Sequence, residues 1–538
     1  MSASDERGVD AVIAEADDAV RQGEYRHAVD VLRAGLAVDP DNVELLIRQG
    51  QAARLVGDRA ESLRVLRRAA ELDPDYFDVM YQLGVTLREE ADIWGALAQH
   101  TRMVELYPHN RAGRFALAMD NSLVGRPDLA LPEVEAVVAG DPDRLLYRVG
   151  YGAVLNRLGR YTEAIDVLRA VIDEGTLLVD AWLELAEAYR GLQQTTAWVE
   201  AVRGGEALDA DSPAVQVWLY DVALVEGRPQ EGPAHLQLAL ELHPRFFRAH
   251  IALGTFAWNA GDHNAAQVWL ESAVQIAPWD GRAQGVLAQF RAETGRGHLD
   301  LERLEGEALA MPYGRLPFYL GQLFLQTRGD GDRAARFLDL AVTHAPEDVQ
   351  ARTLLGDALI ARQEYESATP HLERATALSP EFGPAWAGLA FVRMRQGSLA
   401  EAAEAYARAA ALLPRQANVR QGYGVTLLDL GRVQEALPEL RAAAALEPEN
   451  GKVLFSLARG LDRAGQRDEA LDTARRARAL LPDDQQIAEL AGRLEAQAAE
   501  ASHPEALRAE SGLPEAGGET SDAPHENGQD QDREDQRR

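Results

Sequence analysis

Three arginines, Arg248, Arg282 and Arg315, recur at near-equal intervals, with Asn259, Gln289, Gln322 and Gln326 close by. Guanidinium groups spaced in this way could grip the carboxylates or phosphates of a partner, because each presents a rigid fork of donors to an oxyanion. A second group is apolar. Tyr81, Val85, Phe115, Met119 and Leu123 fall on neighbouring helices, where they either pack together or form a pocket for a partner's side chain. Trp258 and Phe318 complete the candidate partner-binding set, whose other members are Tyr81, Phe115, Met119, Arg248, Arg282 and Arg315.

Bond-making chemistry finds fewer candidates. The chain has no cysteine, which excludes disulfides, thiolate zinc sites and cysteine nucleophiles. It has neither G-x-x-x-x-G-K-[ST] nor H-E-x-x-H. "RGDGDRA" contains Gly329-x-Gly331-x-x-Ala334, a loose dinucleotide fingerprint, but it follows a helical segment rather than a strand and reads as a turn. The histidines lack metal-ligand spacing, and His243 and His250, which flank one junction, read as surface or packing residues. The expectation is a protein without catalytic residues, cofactor or metal.

The elements that must carry these residues are written in a repeat. "GRVQEALPELRAAAALEP" at 431–448 returns as "GQRDEALDTARRARALLP" at 465–482, a step of 34 residues. On that grid lie Pro40, Pro74, Pro108 and Pro142, then Pro244 and every step to Pro482, with Ala210 and Thr176 the exceptions. A glycine register runs beside it through Gly23, Gly57, Gly125, Gly159, Gly227, Gly261, Gly295, Gly329, Gly397, Gly431 and Gly465, broken by Ala91, Gln193 and Gln363. A third register carries alanines, among them Ala28, Ala96, Ala164, Ala402 and Ala470, and a fourth carries small residues, among them Gly50, Gly84, Gly254 and Gly356.

Each register has a physical cause. Apolar residues between a proline and the next glycine recur at helical spacing, as in Trp182, Leu185, Ala186 and Tyr189. The glycine ends that first helix in a left-handed residue and lets the chain reverse. A second helix then runs to the next proline, which disfavours helix in the residue before it. Small residues stand where helices must approach closely.

These residues resemble the tetratricopeptide repeat (TPR), with Trp386, Leu389, Ala390, Ala402, Tyr406, Ala409 and Pro414 as one matching unit and Arg393 departing from it. The resemblance implies an all-α fold: a right-handed superhelical TPR solenoid of about 14 helix-turn-helix repeats. An N-terminal leader at 1–8, the array at 9–484, a capping helix at 485–500 and a disordered acidic tail at 501–538 divide the chain. Repeats six to nine depart from the pattern: Trp198, Gly232 and Asp300 replace the small alanine, and Tyr220 replaces glycine or alanine. Such misfits mark either a specialised site or a weak joint.

The resemblance also implies that function lies on the concave face, lined mainly by the first helix of each repeat. Acids and bases balance at the positions that point there. The family's carboxylate clamp needs Lys and Asn where Ile251 and Thr255 stand, so that co-chaperone role is not expected. Net charge is −31, which argues against a nucleic-acid binder. No apolar run is long enough to span a membrane, and "MSASDERGVDAVIAEADDAV" has no apolar signal core, so a cytoplasmic protein is expected. The sequence therefore points to a non-catalytic scaffold that binds protein or peptide partners in its groove. The alternatives are a regulatory or substrate-recruiting subunit of a separately encoded enzyme, such as a glycosyltransferase or protease, or a self-assembling scaffold.

Overall fold

A computed structural model describes residues 3–502, and the described residues form 29 α-helices, one π-helical turn and no strand. The expected tail lies outside them, except for two residues that end the last helix, Gln485–Ser502. At the other end the first helix, Ala3–Arg21, begins inside the segment read as a leader. The chain divides into two compact units, Met1–Pro414 and Arg415–Arg538.

One helix pair shows how the registers build the fold. Val43–Leu55 starts where the Asn42 side chain accepts a hydrogen bond from the Leu45 amide, which satisfies an amide without a helical partner. It ends before Gly57, at φ +82°, and Arg59–Leu72 begins beyond an Asp58 cap. Leu66 of the second helix lies against Gly50 of the first, where a Cβ would stand 2.6 Å from Leu66 Cγ. Gly254 with Leu270, Gly356 with Leu372 and Gly424 with Leu440 repeat this contact at the same distance. The small-residue register is thus a row of leucine sockets.

The breaks in the glycine register keep its geometry. Ala91, Gln193 and Gln363 adopt φ of +63°, +56° and +63°, the left-handed conformation of the glycines they replace. Each costs about 1 kcal/mol relative to glycine. Between Gly321 and Gly329 the sequence holds one residue more than the grid allows, and Phe324–Arg328 absorbs it as a π-helical turn.

In the first unit the coil winds back onto itself. Trp279 Nε1 donates to the Ala91 carbonyl at 3.0 Å, across 188 residues. His243 Nε2 meets the Glu89 carbonyl at 3.2 Å, and Arg245 pairs with Glu90 at 3.4 Å. One repeat further along, Gly125 faces Gly314 and Met311. Beyond that, the Glu347 amide donates to the Gly159 carbonyl at 3.1 Å, and Thr162 donates through both its amide and its hydroxyl to the Glu347 carboxylate. The turns at 91, 125 and 159 thus dock in step onto the junctions near 279, 314 and 347. A hydrophobic core built on 149–222 accordingly takes in Val349, Ala375 and Ala385.

The second unit is simpler. Ala417–Asp429, Val433–Leu446, Gly451–Arg463, Arg467–Leu480 and Gln485–Ser502 each pack on sequence neighbours. Ile487, Leu490, Ala491 and Leu494 of the last helix are buried, while its Glu495 pairs with Arg475 and Arg478.

Candidate binding interior of the first unit

The coil lines an open cavity of about 460 Å³. Its walls come mainly from the first helices of successive pairs, Leu145–Arg157, Val179–Gly191, Pro213–Val225, Phe247–Asn259, Gly281–Thr294 and Leu316–Leu323, with Tyr161 and Trp198 added from the second helices Tyr161–Asp173 and Thr195–Leu208. One face is aromatic. Trp198 and Trp218 lie 5.9 Å apart, both buried, and the Arg190 guanidinium sits 4.1 Å over the Trp218 ring.

The rest is charged, and the charges pair unequally. Arg190 bonds Glu187 and lies 3.3 Å from Asp221. Arg315 pairs with Asp348, a buried carboxylate that also caps Val349–Ala361 by accepting from the Ala351 amide. Glu184 accepts from Asn156 Nδ2 at 2.9 Å, and Asp280 caps Gly281–Thr294. Arg157, Arg248 and Arg282 also line the cavity, and none has a carboxylate within 4.0 Å among the described residues.

Enclosure tunes these groups. Burial pushes the Glu184 and Asp221 carboxyls up, against the pull of nearby arginines. Glu187 would also be raised by burial, but Arg190, Arg157, Arg248 and Arg315 outweigh it and hold it down at about 2. Burial lowers Arg248, and the like charge of Arg157 adds to that. The side chains are only half-covered, because they look onto the cavity rather than into packed core.

Three sequence profiles, each described as a tetratricopeptide repeat, match residues 325–389, 359–425 and 427–494, then 13–77 and 123–176, then 247–278. Together they cover more than half of the chain. The chain belongs to the tetratricopeptide repeat family. No curated protein sequence matches it. Among solved structures, the APC/C hetero-tetramer Cut9-Hcn1 aligns with a TM-score of 0.53 at 14% identity, over 90% of this chain and 96% of that one. Naa15/Naa10 bound to HypK-THB gives 0.36 at 16% identity, over 95% and 97%. Yeast Tom70 gives 0.33 at 15%, over 88% and 99%. The Cut9-Hcn1 likeness is one of fold.

The TPR array places the sequence-selected residues unequally. Arg248, Arg282 and Arg315 do come together at the cavity, although Arg315 is engaged by Asp348 and lies 4.4 Å over Phe318. Phe318 itself is buried, and Trp258 packs edge-on against Phe290. Tyr81, Phe115 and Met119 gather between adjacent helices. Phe115 is buried 4.9 Å from Tyr147, Met119 crowds Gly150, and Tyr81 stacks on Phe77. Phe115 is thus taken up in packing, whereas Tyr81 and Met119 stay half-buried.

Sequence reasoning missed Arg157, although it holds the last groove-facing position of its TPR repeat. Also missed was the compensation inside repeat seven. Tyr220, large where glycine or alanine is usual, fills the space left by Gly232, small where alanine is usual, and a Cβ on Gly232 would lie 2.7 Å from the Tyr220 ring. The two misfits are one exchange of volume.

Proposed function

We propose that this TPR protein is a non-catalytic scaffold that holds an extended segment of a partner protein inside the coil of its first unit. The supporting observation is the cavity, walled mainly by consecutive first helices and mixing an aromatic face with charges that are paired at close range and charges that are not. Such a lining suits a peptide: aromatic surface supplies affinity, and the charges set register and selectivity. The fold shared with protein-complex subunits agrees with this reading. Contacts of residues 89–91 and 159–162 with the opposite coil enclose the segment's path, so the partner would thread or enter as the coil opens.

A photo-crosslinking amino acid tests this. Placed at Phe247, which faces the cavity, it should join one short stretch of a partner chain; at the exposed Val268 it should not. Crosslinks at Val268 alone, or none at Phe247 in the native cell, would refute the reading.

A further inference from the structure

We propose that Arg157, Arg248 and Arg282 form a receptor for one anionic group, a carboxylate or phosphate, carried on the segment that occupies the interior. The inference rests on the reading of that interior as a peptide path, and it names what the path selects.

The pairing of the cavity's charges carries it. Glu187 and Asp221 are met by Arg190, Asp348 by Arg315, Glu184 by Asn156, and Asp280 by the helix amide it caps. The lining's five carboxylates equal its five arginines in number, but three of the arginines have no carboxylate within 4.0 Å among the described residues. The three remaining guanidiniums come from three different helices and line one cavity. Arg282 Nε is buried with no hydrogen-bond partner, a donor that folding leaves unanswered. Arg157 and Arg248 oppose each other's charge, so an oxyanion between them would relieve repulsion and satisfy donors together. A cation would gain nothing from these residues, and an apolar group would leave the Arg282 donor buried and unmet. Arg315, the third member of the row expected from sequence, is not part of the receptor because Asp348 already answers it.

The test uses the full chain and two kinds of probe. Inorganic phosphate is titrated first, with binding read from arginine Nε–H resonances in NMR spectra. Saturable shifts are expected, lost in Arg248→Gln and in Arg157→Gln but kept in Arg441→Gln on the outer surface. Fluorescent alanine-rich dodecapeptides carrying one serine, one glutamate or one phosphoserine follow, read by anisotropy. The two charged peptides should bind at least about tenfold more tightly than the serine peptide, and Arg282→Gln should erase the difference. Comparison of the glutamate and phosphoserine arms identifies the source of the anion. If all three peptides bind alike and no arginine variant changes them, the receptor is refuted while the peptide path stands. If phosphate saturates the three arginines but no peptide binds, the receptor stands and the peptide path falls. Absence of both signals in a chain with full helical circular dichroism overturns the receptor.

Discussion

The two units are built from the same repeat and hold themselves together differently. In Arg415–Arg538 every described contact joins elements close in sequence, as a one-dimensional stack requires. In Met1–Pro414 the same helix pairs also meet across the coil, through Trp279 and Ala91, Gly125 and Gly314, and Gly159 and Glu347. The lesson is that a short turn has two lives. In an open stack it only reverses the chain, whereas in a closed coil its backbone becomes an interface and walls off an interior.

The largest effect should come from one substitution made in both units. Gly159 and Gly431 hold the same register position, at φ +61° and +77°. A Cβ on Gly431 meets nothing within 4 Å, but on Gly159 it would lie 2.5 Å from the Ala345 Cα. Gly431→Ala should therefore cost only backbone strain, about 1–2 kcal/mol. Gly159→Ala should exceed about 4 kcal/mol, or open the coil and speed hydrogen exchange at the Glu347 amide. Urea unfolding and native-state exchange check both. Equal costs would erase the distinction between the units.

A smaller effect is expected where the first unit departs from the pattern. Gly232→Ala restores the usual residue yet should destabilise by about 1–3 kcal/mol, because Tyr220 occupies its space. Adding Tyr220→Ala should restore tolerance of alanine at 232, although the lost ring brings its own cavity cost. A double-mutant cycle measures the coupling, and additivity would show the two residues to be independent misfits.

The smallest effect concerns pH. Burial, together with Arg59, lowers the His243 pKa below its ordinary value. The closed coil therefore favours neutral His243. Its contribution is full above the unfolded value and is lost as pH falls through the folded one. Acidification from about pH 7.5 to about 5.5 should lower the Tm of the first unit more than that of His243→Gln, which can still donate to the Glu89 carbonyl. An identical pH dependence in the variant would remove His243 from the closure.

How much of this could be read in the sequence depends on what kind of group makes the contact. The Gly57 turn and the Gly50–Leu66 socket were legible, because side-chain size and φ leave a periodic trace. Ala91, Gln193 and Gln363 broke the letter of the register while keeping its conformation, so the turn outlasted its glycine. Coil closure left no such trace. Most of its acceptors are backbone carbonyls, those of Ala91, Gly159 and Glu89, groups every residue carries, and its partners lie as far as 188 residues away. The arginine row was visible, but its division into Arg315, paired with Asp348, and Arg248 and Arg282, which have no carboxylate within 4.0 Å among the described residues, depended on Asp348, which reads in sequence as a helix cap.

Closure of the first unit is the claim on which the cavity, the peptide path and the anion receptor all depend, and the absence of native cysteine makes it open to a clean measurement. Thr162 Oγ1 and Glu347 Oε2 lie 3.0 Å apart, 185 residues distant in sequence. Thr162→Cys and Glu347→Cys, introduced together and treated with a short bismaleimide, should crosslink within one chain at high yield and shift its gel mobility, while either single variant should not. A folded, fully helical double variant that fails to crosslink would contradict the account.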